Sequence, residues 1–273
     1  MLGDKFRLRF RKHGDLRLLS HLDLTRCVER MLRRADLPFK STAGFHPTPR
    51  MIFALSLPLG VTGTREVLEL ELLTPHDAAD VQERLNRAAP RGLEFLTSNV
   101  VEMKATAIPR RVVYTLPLPP DRVDPTRAAT EALSHQEQVW VDRFKPRPRR
   151  LNIKQYLRSV ALSASPLAGE GVTGNSDEGN RAQLLLDLWV TQNGTARADE
   201  LVRLLGLQDL LDAGAVIERR ELELRDETPP GQQDAPPDGP PETAPMIHPP
   251  ADAGADDKPT ATWGLSPNGP VVE

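Results

Sequence analysis

Two histidines, His21 and His46, lie in the N-terminal part of the chain, each within reach of arginine, and imidazole is the side chain suited to moving a proton near neutral pH. His46 belongs to Ser41-Thr42-Ala43-Gly44-Phe45-His46-Pro47-Thr48-Pro49-Arg50. Two prolines within three residues hold that backbone extended and remove two amide donors, which excludes helix interior. Gly44 permits a positive φ, so Phe45 and His46 follow it on a loop, where scaffolds commonly display binding residues. His21 sits in Leu18-Leu19-Ser20-His21-Leu22-Asp23-Leu24, at the start of a basic helix. If both histidines converge with Arg17 or Arg50, they bind a phosphate, while Phe45 stacks an unpaired base between Lys40 and Arg50. The structural alternatives are that His21 hydrogen-bonds neighbouring backbone, His46 braces its own turn and Phe45 plugs the core. His21, Asp23 and His46 lack a short paired ligand spacing, so neither a metal site nor a cofactor is expected.

Charge is unevenly spread. Residues 226–273 hold 12 of the 26 prolines and 9 acidic residues against one lysine, a net charge of −8. Without that segment the overall −3 becomes +5, and the first 60 residues alone carry 12 Lys/Arg against 5 Asp/Glu. Such a block suits a polyanion such as RNA, or else it is a solvated helix face. A second basic run, Arg143 to Arg150, places Lys145, Arg147, Arg149 and Arg150 as nucleic-acid contacts, with a charged linker as the alternative. The one cysteine, Cys27, excludes an intrachain disulfide and a three-cysteine iron–sulfur cluster, and its place in an amphipathic helix reads as a buried thiol. No apolar run approaches the roughly 18 residues of a membrane span. With a charged strand rather than a signal peptide at the start, a soluble cytoplasmic protein is expected.

The elements that position these residues follow from periodicity. Lys5 to Lys12 alternates Phe6, Leu8 and Phe10 with Arg7, Arg9 and Arg11, a half-buried strand with a basic outer face. Ser20 and Asp23 form a capping signal for a helix that carries Arg30, Arg33 and Arg34 and ends at Asp36-Leu37-Pro38. Strands over Met51–Leu57 and Glu66–Leu73, a helix over Pro75–Ala88 and a strand over Leu93–Met103 complete a βαββαβ order. Residues 105–225 read as a second copy. Its strands are Arg111–Leu118, Val139–Phe144, Ile153–Ser159, Ala182–Thr191 and Ala215–Leu224; its helices run from Asp124 to Leu133 and from Ala198 to Leu205, the latter capped near Thr195. The expected fold class is therefore α+β: two tandem ferredoxin-like units, residues 1–104 and 105–225. An inserted flexible loop falls near 163–180, and a disordered proline-rich acidic tail covers 226–273.

The run Phe6-Arg7-Leu8-Arg9-Phe10-Arg11-Lys12, then Leu19-Ser20-His21-Leu22-Asp23-Leu24, Ala43 to Pro49 and Leu57-Pro58-Leu59-Gly60-Val61 resemble the radical SAM-linked protein family, a bacterial domain of unknown function. Gly194-Thr195-Ala196-Arg197-Ala198-Asp199-Glu200 is similar to that family's second half. The resemblance implies a separately encoded radical SAM protein as partner and a role in RNA metabolism. The function expected is a non-catalytic accessory module that binds RNA or ribosomal material. The alternatives are a metal-independent endoribonuclease using His21, by fold analogy alone, and a protein-docking module.

Overall fold

Strand β1 (Lys5–Lys12) alternates as its sequence requires, and Phe6, Leu8 and Phe10 are buried against two helices. The first, α1 (His21–Arg34), contributes Leu24, Cys27, Val28, Met31 and Leu32, so Cys27 is a buried free thiol. The second, α2 (Ala78–Ala88), contributes Val81 and Leu85. Ser20 caps α1: its hydroxyl accepts from the Asp23 amide at 3.2 Å and donates to the Asp23 carboxylate at 2.7 Å. The helix stops where Asp36 takes a left-handed φ of 51°, a conformation Asp tolerates better than most residues. Remaining in this half are β2 (Met51–Phe53), β3 (Thr62–Glu71) and β4 (Leu93–Val101). The computed structural model describes residues 3–45, 47–144, 148–163, 182–228 and 243–244.

The second half adds β5 (Pro109–Pro117), α3 (Pro120–His135), β6 (Trp140–Arg143), β7 (Arg149–Asn152), β8 (Leu157–Ser163), β9 (Gln183–Trp189), α4 (Ala198–Leu204), α5 (Gln208–Asp212) and β10 (Glu218–Leu224). One eight-stranded mixed sheet runs through both halves in the order β4-β1-β3-β10-β5-β9-β8, with β2 also on β3. Every pairing in it is antiparallel except β3 with β10, where Thr62 meets Glu218 and Gly63 meets Arg219. Strand β3 serves two neighbours on that side: its first two residues meet β10, and Leu68 to Leu70 meet β2. The first core holds residues between Phe6 and Phe95. The second is built from Tyr114, Leu186, Leu201 and Leu222 among others, and it takes in Leu57, Val61 and Val67 from the first half.

The second half departs from the periodicity reading in several places. Helix α3 begins at Pro120 rather than Asp124, because proline's fixed φ suits the first helical position. Val139–Phe144 is not a main-sheet strand. Its ordered part, β6, pairs with β7 in a separate three-stranded sheet completed by β11 (Thr243–Ala244). Ile153–Tyr156 is a 3-10 turn, and the sheet strand starts only at Leu157 and includes Ser163, which sequence placed in the loop. The rest of the expected loop, 164–180, lies outside the described residues. So does the expected tail, apart from 226–228 and 243–244, which are ordered against the sheets.

At the parallel seam Arg219 and Glu66 are both almost wholly buried and form a forked ion pair, with Arg219 Nε donating to Glu66 Oε1 at 2.8 Å. Arg219 also donates to the carbonyls of Leu55 (3.0 Å) and Ser56 (3.3 Å) and to the Tyr114 hydroxyl (3.4 Å). Gly63 is required beside it, since a Cβ there would stand 2.5 Å from Glu66 Oε1. Removing one partner strands the other charge in the interior. Glu66→Leu is expected to cost about 3–5 kcal/mol, whereas Glu66→Leu combined with Arg219→Met is expected to be near neutral. Urea unfolding of the two variants measures both effects.

Candidate functional site

The loop between α1 and β2 is a braced hairpin. Ser41 bridges to Pro49; the Thr42 amide donates to the Thr48 carbonyl at 2.8 Å, and the Thr48 amide donates to the Thr42 hydroxyl at 3.1 Å. Gly44 has φ 147°, a left-handed conformation disfavoured for other residues. This geometry carries Phe45 to the tip, where it is fully exposed, with a relative surface of 102%. Phe45 is therefore not a core plug, because the hairpin projects it away from both cores. His46 lies outside the described residues. At the base of the loop, Lys40 and Arg50 both stand 3.3 Å from Glu71 Oε2, and the Arg50 amide donates to the Lys40 carbonyl at 2.7 Å.

The other expected site residues have different partners. The His21 ring is exposed and packs edge-on against Phe53, with centroids 5.2 Å apart. Arg17 donates to the Gly14 carbonyl at 3.3 Å and faces Asp15 at 3.9 Å. The structure thus joins Lys40 to Arg50 but does not bring Arg17 and His21 to them. Among the described residues no three metal-ligating side chains gather.

The basic block divides in two. On β1, Lys5, Arg7, Arg9 and Lys12 are buried, so this strand does not present a basic outer face. Lys5 pairs with Glu69 at 2.8 Å, and Arg7 donates to Glu69 (3.0 Å) and to Asp226 (2.6 Å). Arg9 pairs with Glu227 and donates to the Leu222 carbonyl at 2.6 Å. The first residues after β10 thereby cross the sheet as an acidic strap, although sequence assigned 226–228 to a disordered tail. On α1 the cations stay outside. Arg30 is exposed with no ion pair among the described residues, Arg33 pairs with Glu29 at 2.7 Å and Arg34 donates to the Ala88 carbonyl at 2.8 Å. Arg34 lines an open groove of about 770 Å³ with Arg84 and Arg87, where Asp36 and Asp80 dilute the positive charge.

The second basic run is also structured. Arg143 is buried against Glu200, donating to both carboxylate oxygens at 2.7 Å, and to the Thr195 carbonyl at 2.9 Å. Arg149 and Arg150 lie on β7, with Arg150 3.6 Å from Asp142, so this stretch is a hairpin strand rather than a linker. Lys145 and Arg147 lie outside the described residues. Glu200 also accepts from the Arg197 amide at 3.1 Å, which makes Arg197 the cap of α4, two residues after the expected cap at Thr195. The Thr195 hydroxyl is turned instead to the Trp189 carbonyl at 2.8 Å.

A cavity of about 540 Å³ between the halves was not foreseen from sequence. Pro58-Leu59-Gly60-Val61 supplies one wall, Thr195 to Asp199 another, and Tyr114 and Arg219 line it from the sheet. The only signal was indirect: both wall segments carry the family resemblance, yet they stand some 140 residues apart in the chain, and nothing in their spacing says they meet.

These features define an α+β protein in which two helix-covered strand arrays share one mixed sheet. Over residues 5–195 the chain matches the family described as "Uncharacterized protein conserved in bacteria (DUF2344)", and it belongs to that family. No curated protein matches it. Among solved structures it is similar to an archaeal box H/ACA sRNP Nop10-Cbf5 complex, at 12% identity and TM-score 0.34, covering 82% of this chain and 50% of that one. A Cbf5-Nop10-Gar1 complex gives 10% identity and TM-score 0.36, with coverage of 80% and 48%. An unknown protein from Galdieria sulphuraria gives 10% identity and TM-score 0.23, with coverage of 81% and 98%. The chain spans about half the length of the first two. At these scores the likenesses assign neither function nor a finer fold. No helix among the described residues is long and apolar enough to cross a membrane.

The charged face of the sheet has a pH signature. Burial pushes the Glu223 carboxyl up, but hydrogen bonds from Thr228, Arg110 and Arg111 outweigh it and hold the group below the usual carboxylate range. A depressed folded value means the stabilisation is complete above the unfolded value of about 4.3 and is lost as pH falls through the folded one. Glu223→Gln is expected to lower stability at pH 7 and to flatten the loss below about pH 4, measured as denaturation midpoints across an acid series.

Proposed function

We propose that the chain is a non-catalytic docking module whose Ser41–Pro49 hairpin inserts Phe45 into a partner protein. The observation that carries this reading is Phe45 itself, a whole aromatic ring held in water at the tip of a loop that two threonines keep rigid. Large aromatic side chains on preorganised loops are the usual anchors of protein interfaces. Exposed Leu18, Leu22 and Leu59, from the segments around the start of α1 and before β3, add apolar surface. The motif resemblance supplies the partner, a separately encoded radical SAM protein. The orders β4-β1-β3-β2 and β10-β5-β9-β8 each place the first and last strands of a half side by side, which supports reading the scaffold as two tandem ferredoxin-like units.

RNA binding is the second reading, favoured by exposed Arg30, Arg33 and Arg34 on α1, of which Arg34 lines the groove with Arg84 and Arg87. The endoribonuclease reading draws no support from His21, which among the described residues has an aromatic ring beside it rather than a proton-transfer partner.

Affinity capture from the native host, with and without ribonuclease, separates the readings. Docking predicts recovery of a radical SAM protein that survives ribonuclease and high salt and falls at least tenfold with Phe45→Ala, about the effect of losing an interface anchor. Recovery unchanged by Phe45→Ala overturns it. The RNA reading predicts bound RNA that is released steeply with salt and lost when Arg30, Arg33 and Arg34 are changed to alanine together.

A further inference from the structure

We infer that the cavity between the two halves binds a small amphiphilic monoanion: an apolar or aromatic body carrying one carboxylate. The inference goes beyond the docking module and does not rest on it. At about 540 Å³ the cavity falls within the range of roughly 300–1,000 Å³ typical of small-molecule sites, and it lies at a junction between structural halves, where such sites concentrate. Pro58, Val61, Ala196, Leu211 and Ile217 give it apolar walls suited to a ring or a short hydrocarbon.

The polar groups in the lining are unevenly matched. Arg219 is satisfied by Glu66 and by backbone carbonyls, so this buried pair presents no net charge to a ligand. Tyr114 accepts from Arg219 at 3.4 Å, and among the described residues its own hydroxyl hydrogen has no acceptor. The Ser56 hydroxyl is likewise uncommitted there, its carbonyl alone being used by Arg219. Arg197 spends its backbone amide on Glu200, while its guanidinium is half-exposed, with only Nε near a carboxylate, at 4.0 Å. Three side chains with a donor to spare therefore line a mostly apolar space.

Against them stands a single acidic side chain, Asp199, itself 3.7 Å from Arg203. A donor excess selects an acceptor-rich head group. One guanidinium beside one carboxylate matches a single negative charge better than a phosphate dianion, which Asp199 would repel. The wall turn is fixed for this purpose by Gly60, at φ 82°, whose amide is held by the Arg17 carbonyl at 2.8 Å.

The test titrates the full chain with 1-naphthoate and with neutral 1-naphthalenemethanol by calorimetry. The expected result is saturable one-to-one binding of the carboxylate, with the alcohol at least about tenfold weaker, as loss of a charge-assisted hydrogen bond predicts. Arg197→Gln should weaken 1-naphthoate by about tenfold and leave the alcohol unchanged. Ser56→Trp, on an exposed residue at the rim, should block both probes. Tyr114→Phe, which keeps the ring in the core, gives a milder loss and guards against variants that fail to fold. Absence of saturable binding, equal affinity for the two probes, or binding indifferent to Arg197→Gln and Ser56→Trp would each overturn the inference.

Discussion

The Glu66–Arg219 pair is the interaction on which the rest of the architecture depends. Strands β3 and β10 touch over only two paired residues each, too short a ladder to hold two halves in register by backbone hydrogen bonds alone. The buried fork supplies the missing constraint, because any slip of β10 along β3 would leave a guanidinium and a carboxylate unpaired in the interior. Its reach extends further. By donating to the Leu55 and Ser56 carbonyls, Arg219 also positions the turn that follows them, and that turn forms a wall of the interhalf cavity. Seam, turn and cavity are therefore a single mechanical unit. Lys12 is drawn into it as well: burial lowers its pKa, with Arg219 adding to the effect and Glu66 opposing it.

Electrostatics in this chain is a matter of sorting rather than of net charge. The twelve cations of the first 60 residues suggest a polyanion surface when counted together. Folding turns β1's share onto a face where Glu69, Asp226 and Glu227 neutralise it, and leaves α1's share in water. An alternating strand looks the same in sequence whether its polar face meets solvent or a carboxylate network. The deciding partners come from as far as 219 residues away, beyond the reach of any local pattern.

Much of the first half was legible for the same reason that much of the second was not. Phe6, Leu8 and Phe10 alternate cleanly, Ser20 and Asp23 announce a helix start, and the glycine and prolines around Phe45 allow only a loop. In the second half the hairpin of β6 and β7 leaves the main sheet, and a 3-10 turn at Ile153 delays β8, so short apolar runs no longer mark sheet strands. The start of α4 at Ala198 was legible, but its cap was misplaced by two residues because Glu200, reaching back to the Arg197 amide, outweighs the cap preference of Thr195. The core-plug alternative for Phe45 could not be dismissed from sequence, because aromatic character says nothing about which way a hairpin points. The cavity was invisible because its walls are joined only by the seam.

The docking proposal rests on what folding leaves uncommitted among the described residues. Proton-transfer chemistry needs a titratable group held against a partner in a sheltered place. Among the described residues the candidate His21 has an aromatic ring as its neighbour, and the buried carboxylates Glu66, Asp187 and Glu200 are each locked to arginine. Among the described residues the groups left without such a partner are of another type: a bare phenyl ring at a loop tip, an arginine on α1 with no ion pair, the hydrogen of a tyrosine hydroxyl and a half-exposed guanidinium lining an apolar cavity. On the docking reading, the exposed ring is the group that would meet a partner. Among the described residues, the fold spends Glu66 and Arg219 on joining its halves and Asp187 and Glu200 on fixing the second, and it leaves Phe45 and Arg30 in water.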